Sequence, residues 1–151
     1  MAIIDKKEKE LAAYEAGPFD DLKVQEALTI IAVFAARMDY GDCEDDVRRL
    51  AAILEDHPLF VARTKEIFSL INTYVNAMQT TDPHKALDTA VKALTPEQKN
   101  AAFELVVKVA QPGEKLTADE SQMFAVLKTR LSISDEFAQR SFAASREKQR
   151  R

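Results

Sequence analysis

Apolar residues recur at intervals of three and four positions along most of this chain, a spacing that places them on one face of an α-helix. The clearest apolar stripes comprise Val24, Leu28, Ile31 and Ala35, then Ile67, Leu70, Ile71 and Tyr74, and then Ala102, Leu105, Val106 and Val109. Glycine and proline are scarce and fall between the stripes, where they mark turns. The pattern predicts an all-α fold of seven to eight helices.

Helix-capping residues mark where several of these helices begin. Asp82 precedes Pro83, an order typical of a helix start. Proline has no amide hydrogen, and at the first helical position no hydrogen bond is lost because that amide would have no partner within the helix. Residues 95–98 and 117–120 each match the capping box, in which two side chains satisfy free backbone amides reciprocally. We therefore expect helices to begin at these three places.

Two long helices and a final helix complete the expected domain. The apolar pattern predicts one helix over residues 20–39 and another over residues 59–78. The final helix is expected to start at Ser134 and to fray from Arg146, where charged residues replace the apolar stripe.

The chain is expected to divide into three regions. Residues 1–19 form an N-terminal arm with a short helix over residues 5–15, residues 20–142 form the helical domain, and residues 143–151 form a basic tail. A length of 151 residues is typical of one domain with one hydrophobic core.

The composition indicates which classes of partner and which cellular compartment to expect. A formal net charge of -4 gives the chain no overall positive field, so we expect that it does not bind nucleic acid. Cys43 is the single cysteine and cannot form an internal disulfide, which favours a reducing, cytoplasmic location. No apolar segment approaches the length of about 20 residues that a transmembrane helix needs.

Two parts of the sequence resemble each other. Residues 28–41, followed by Asp45 and Asp46, correspond to residues 103–113, followed by Asp119 and Glu120. Each part has an apolar helix, a turn with glycine and an acidic pair that opens the next helix. The correspondence predicts two pseudo-symmetric halves that pack around a shared core.

At these two turns the chain resembles the tellurite-resistance TerB family of small all-helical proteins. The resemblance spans about residues 25–137 and is clearest from Ala101 to Ala110, at Gly113, Leu116 and Glu120, and in the segment 131–136. It implies a TerB-like helical bundle that acts as a non-catalytic interaction or sensing protein in a tellurite or stress response. The family's aspartate before glycine is replaced here by Tyr40 and Pro112.

The resemblance also implies a weak divalent-cation site at the paired acidic turns. The candidate ligands for calcium or magnesium are Asp39, Asp42, Asp46 and Glu120, since hard cations bind several converging oxygen atoms. The alternative interpretation is that these carboxylates cap helices or lie in their first turns, where the positive end of the helix dipole stabilises negative charge.

The chain carries no recognisable catalytic constellation. His57 and His84 lack partners at zinc-ligand spacing, and Cys43 lies among acidic residues that disfavour a thiolate. There is neither a nucleophile elbow nor a glycine-rich phosphate loop. We therefore expect a protein that is not an enzyme; the alternative, an enzyme that uses paired carboxylates, requires two of these side chains to converge in a cleft.

A partner protein is the expected ligand, and an alternative function is a helical protein-binding adaptor unrelated to tellurite, with a groove between its halves. The basic tail is also suited to peripheral contact with an anionic membrane. The aromatic residues at helical spacing are expected in the core; they are Phe34, Phe68, Phe103, Phe124 and Phe137.

Overall fold

The computed structural model describes residues 18–36, 44–112 and 115–149, and these residues confirm the all-α fold. They contain no β-strand. Their elements are α1 (Val24–Ala36), α2 (Glu44–Glu55), a 3₁₀ helix (Pro58–Glu66), α3 (Ile67–Ala77), α4 (Pro83–Lys92), α5 (Pro96–Ala110), α6 (Ala118–Arg130) and α7 (Asp135–Gln149). The short helix predicted for residues 5–15 lies outside the described residues.

Helix α1 is the centre of the fold. Residues 27–33 are all buried, so the helix is enclosed on every side rather than along one stripe. It packs against α3, α4, α5 and the 3₁₀ helix. The single buried polar side chain in this run, Thr29, donates from Oγ1 to the carbonyl oxygen of Gln25 at 2.7 Å, which satisfies its hydroxyl.

The start of α1 differs from the prediction by a few residues. Asp21 has a positive φ of 49°, which is incompatible with a helix, and α1 begins at Val24 instead. Just before it, the amide of Lys23 donates to Glu26 Oε1 at 2.9 Å and so gains a partner at the helix entrance.

The helices that the internal correspondence pairs, α1 and α5, lie directly against each other. Both contribute to the core, α5 through residues that include Phe103, Leu105 and Val106. Two halves that share one core must be in contact, as α1 and α5 are. The pseudo-symmetry itself stays a prediction.

The predicted caps of α4, α5 and α6 are confirmed. At α5 the Gln98 amide donates to Thr95 Oγ1 at 3.2 Å, and the Thr95 amide donates to Gln98 Oε1 at 3.0 Å. The same reciprocal pair joins Thr117 and Glu120 at α6, with distances of 2.9 and 3.1 Å. Asp82 caps α4 through its carboxylate. These side chains replace the hydrogen bonds that the first helical turn lacks.

The long helix predicted over residues 59–78 is wrong in its first half, because a kink divides it. His57 caps a 3₁₀ helix whose regular conformation breaks at Arg63 (φ -131°, ψ 26°), and α3 begins only at Ile67. At the break, Arg63 Nε donates to Glu66 Oε2 at 2.8 Å.

The core position expected for Phe68 is also wrong, since this side chain is 45% exposed. On α3 the buried stripe runs through Ile67, Leu70, Ile71 and Tyr74. Residue 68 lies about 100° away from residue 67 around the helix, on the polar side. The other four aromatic residues of that prediction are buried or partly buried in the core.

The final helix extends further than predicted. It continues through Arg146 to Gln149 instead of fraying at Arg146, and Ser134 caps it by accepting the Phe137 amide at 3.1 Å. Edge-to-face ring contacts hold it in place, with centroids 5.9 Å apart for Phe103 and Phe142 and 4.9 Å apart for Phe124 and Phe142. No helix of the described residues is long and apolar enough to cross a membrane.

Candidate functional site

The predicted cation ligands fall in different places. Asp39 and Asp42 lie outside the described residues, whereas Asp46 is exposed in the first turn of α2. Glu120 Oε1 accepts the Thr117 amide at 2.9 Å, so its carboxylate serves the capping box. Among the described residues, no three histidine, cysteine or acidic side chains gather closely enough to hold a metal ion. The cation site therefore stays a prediction.

A groove of about 800 Å³ runs between α2, α5 and α7 and is the candidate binding site. Helices α2 and α7 each pack against α5, which therefore forms the floor while the other two form the walls. We call this cleft the interhelical groove; its lining residues are Ala52, Ile53 and Asp56 on α2 and the turn after it, Glu104, Val107, Lys108 and Gln111 on and after α5, and Phe137, Arg140, Ser141, Ala144, Ser145 and Lys148 on α7.

The α7 wall is one continuous helical face. Its lining residues follow one another at intervals of one and three positions from Phe137 to Lys148. At 1.5 Å per residue this face is about 16 Å long, or three turns. A ligand that uses the whole wall is therefore elongated.

The centre of the groove is apolar and its edges are charged. Ile53 and Phe137 are partly buried at the two walls, and Val107 is buried at the floor. The charged residues are exposed; they are Asp56 after α2, Glu104 and Lys108 on α5, and Arg140 and Lys148 on α7. Grooves with apolar centres and polar rims are typical of sites that bind proteins.

Two contacts fix the walls relative to the floor. Arg49 Nη2 donates to the carbonyl oxygen of Val109 at 2.8 Å and so joins α2 to the last turn of α5. On the opposite side, the rings of Phe103 and Phe137 meet at 6.5 Å between centroids. The arginine contact is favourable because the carbonyl groups at a helix C-terminus carry partial negative charge.

His57 lies beside the groove, directly after Asp56. Its Nδ1 accepts the amide of Leu59 at 3.2 Å, and its ring meets Phe60 edge to face. Burial lowers the pKa of His57, and the positive charge of Lys108 lowers it further. The histidine thus acts as a neutral helix cap in a partly buried position.

A second depression, of about 560 Å³, lies between α1, α4 and α6. Phe34, Met78 and Met123 give it an apolar side, and Asp119 and His84 also line it. The His84 ring packs against Phe34 with centroids 5.8 Å apart. This depression is smaller than the interhelical groove, which we therefore take as the candidate site.

The sequence pattern does not predict the groove, partly because it predicts a basic tail and not a helix for residues 143–151. Ala144, Ser145 and Lys148 nevertheless line it as part of α7. The signal that could have found them is the spacing of Phe137, Arg140, Ala144 and Lys148, which continues one helical face past residue 143.

Comparisons with known proteins add no assignment. No family model, curated protein or solved structure matches this chain. The resemblance to the TerB family accordingly rests on the sequence motifs given above.

Proposed function

We propose that this protein is a non-catalytic, TerB-like interaction module that binds a helical segment of a partner protein in the interhelical groove. The observation that carries the proposal is the groove itself, with an apolar centre, charged edges and a straight wall about three turns long. Amphipathic helices bind such grooves through apolar residues three and four positions apart.

The arrangement of the helices supports a helical ligand over a compact small molecule. Helices α2 and α7 both pack on α5, and an elongated groove of about 800 Å³ remains between them. A helix in this position covers Ile53, Val107 and Phe137 with its apolar stripe, and its polar side faces solvent. Together with α2, α5 and α7 it makes a group of four helices.

The TerB-like part of the proposal rests on the sequence, above all on residues 101–136. A role in a tellurite or stress response follows from that resemblance alone. The alternative, an adaptor unrelated to tellurite, uses the groove in the same way, so the test of the groove holds for both. The non-catalytic part rests on the lack of a catalytic motif in the sequence.

The divalent-cation site is a separate proposal that a single substitution can test. Glutamine serves in a capping box as well as glutamate does, so Glu120→Gln preserves the cap of α6 and removes one charged ligand. If Glu120 binds calcium or magnesium, isothermal titration gives heat with the wild type and less with the variant. No heat at millimolar ion, with an unchanged melting temperature, would refute the site.

The groove is tested by selection from a display library of helix-forming peptides about four turns long. The library has a fixed leucine stripe and carries glutamate, glutamine or lysine at the flanking positions. Ala144→Trp fills the groove, whereas Ala143→Trp adds the same side chain to a neighbouring exposed position that does not line it.

We expect selected peptides to bind the wild type and Ala143→Trp equally and to bind Ala144→Trp roughly tenfold or more weakly, a loss of about 1.4 kcal/mol. Circular dichroism of the free variants checks that both remain folded. Peptides that bind the two tryptophan variants with equal affinity would show that the groove is not the binding site.

A further inference from the structure

Charge is distributed unevenly around the interhelical groove. On the α7 wall, the charged residues that line the groove are Arg140 and Lys148, and both are basic. The acidic residues of α7, which are Asp135, Glu136 and Glu147, do not line it. The carboxylates of the groove, Asp56 and Glu104, belong to the α2 side and to the floor, where the basic Lys108 follows Glu104 by one turn of α5.

The basic side chains of this wall are available to a ligand. Three cations of the described residues form ion pairs within the chain: Arg63 with Glu66, Arg130 with Asp88 and Lys128 with Asp135. Arg140 and Lys148 have no such ion pair with any described carboxylate.

The position of Arg140 suits recognition at the edge of an apolar site. Its guanidinium carbon lies 5.9 Å from the centroid of the Phe137 ring, a distance typical of a cation–π contact. The contact keeps the charge above the same ring that forms the apolar wall. An arginine held in this way loses less conformational freedom when it binds a carboxylate.

We propose that the helix bound in the groove carries acidic residues along the edge that faces α7. This inference rests on the proposed function and adds the chemistry of the partner to it. Arg140 and Lys148 are eight positions apart, which is about 12 Å or two turns along α7. Two carboxylates seven or eight positions apart on a helix parallel or antiparallel to α7 match this separation.

The acidic residues of the groove distinguish this partner from a membrane. A surface of anionic lipid approaches all sides of the groove at once and meets Asp56 and Glu104 as well as the basic wall. A helix presents different residues to the two walls, so it can place carboxylates at α7 alone and polar or basic residues opposite Asp56. Complementary charge of this kind determines the orientation of a bound helix.

The charged positions of the display library provide the test. We expect glutamate to be enriched over glutamine at the flanking positions on one side of the leucine stripe, seven or eight positions apart. In a synthetic pair that differs only at these two positions, the glutamate peptide should bind about tenfold more tightly at low salt, which equals about 1.4 kcal/mol. The difference should fall below about threefold at 1 M salt, where charges are screened within about 3 Å.

Charge reversal at the wall supplies the matched control. The double variant Arg140→Glu with Lys148→Glu should remove the preference for the glutamate peptide and leave the glutamine peptide almost unaffected. The double variant Lys85→Glu with Lys92→Glu changes the net charge by the same amount at exposed positions of α4 and should keep the preference.

Failure of the inference can be separated from failure of the proposed function. Peptides that lose affinity for Ala144→Trp but show no enrichment of glutamate would overturn the acidic partner and leave groove binding intact. Peptides that bind Ala144→Trp as tightly as they bind the wild type would overturn both.

Two further measurements test other occupants. Sedimentation with vesicles of phosphatidylserine and phosphatidylcholine that is abolished by the wall variant, without any preference for the glutamate peptide, would overturn the inference in favour of a membrane. A dimer in analytical ultracentrifugation that Ala144→Trp converts to a monomer would overturn it in favour of a second copy of the chain.

Discussion

His57 shows how one side chain at the edge of the groove links pH to stability. Its Nδ1 accepts the amide of Leu59, which requires that nitrogen to be unprotonated. The pKa of His57 in the folded chain is lowered, first by burial and then by Lys108. The folded state therefore holds this proton less tightly than the unfolded state does.

We expect the free energy of unfolding to fall as the pH drops below the ordinary histidine pKa of about 6.5. The loss should stop once the pH is below the lowered pKa of the folded state. Urea unfolding of the wild type and His57→Ala at pH 7.5 and 5.5 tests this. The variant should lose about 1 kcal/mol at pH 7.5, the usual value of a cap, and should be less sensitive to acid.

His84→Ala serves as the control for this pH dependence, because it removes the other histidine of the chain. It should keep the acid sensitivity of the wild type. If His84→Ala and His57→Ala respond alike to pH, the explanation based on the cap at Leu59 is wrong.

Phe60 and Phe68 form a second contrast at the scale of single residues. Phe60 is completely buried, whereas Phe68 is 45% exposed. Phe60→Ala should reduce the free energy of unfolding by about 3–5 kcal/mol because it leaves a cavity in the core. Phe68→Ala should cost less than about 1 kcal/mol. Similar losses in chemical denaturation would contradict the burial of Phe60 and the exposure of Phe68.

At the scale of elements, the groove depends on how α2 is attached to α5. The hydrogen bond from Arg49 to Val109 joins the wall to the end of the floor. Arg49→Ala should reduce the free energy of unfolding by about 1 kcal/mol and should also weaken the binding of a selected peptide. Thermal denaturation and peptide titration measure the two effects.

Thr117→Ala is the matched control for stability. It removes the capping box of α6, at a cost of about 1 kcal/mol, without changing a residue that lines the groove. Its peptide affinity should equal that of the wild type. If both variants weaken binding equally, the effect of Arg49 comes from general destabilisation and not from the position of α2.

At the scale of the whole molecule, the all-α fold and most helix boundaries can be predicted from the sequence, since they depend on local chemistry. The caps at Asp82, Thr95 and Thr117 are examples, because each side chain accepts a backbone amide only two or three residues away. The kink at Arg63 could not be predicted, because its ion pairs include one to Glu26 on α1, 3.7 Å away.

The candidate site could be predicted even less well. The groove brings together residues from the end of α2, the second half of α5 and most of α7, and no local pattern predicts how three helices separated in sequence pack. The face of α7 from Phe137 to Lys148 is readable as a stripe, but its role depends on the neighbouring helices. The acidic residues that the sequence predicts as cation ligands include Glu120, whose carboxylate accepts the Thr117 amide in a helix cap.

The central position of α1 makes a prediction about the cooperativity of the whole fold. Ile31 is fully buried in α1, which packs against α3 in the first half of the chain and α5 in the second. Ile31→Ala should cost about 2–5 kcal/mol. Because both halves share this helix, native-state hydrogen exchange should show an equal loss of protection in α3 and α5. Loss in α3 alone would mean that the halves unfold independently, and the shared core would then not unite them into one cooperative domain.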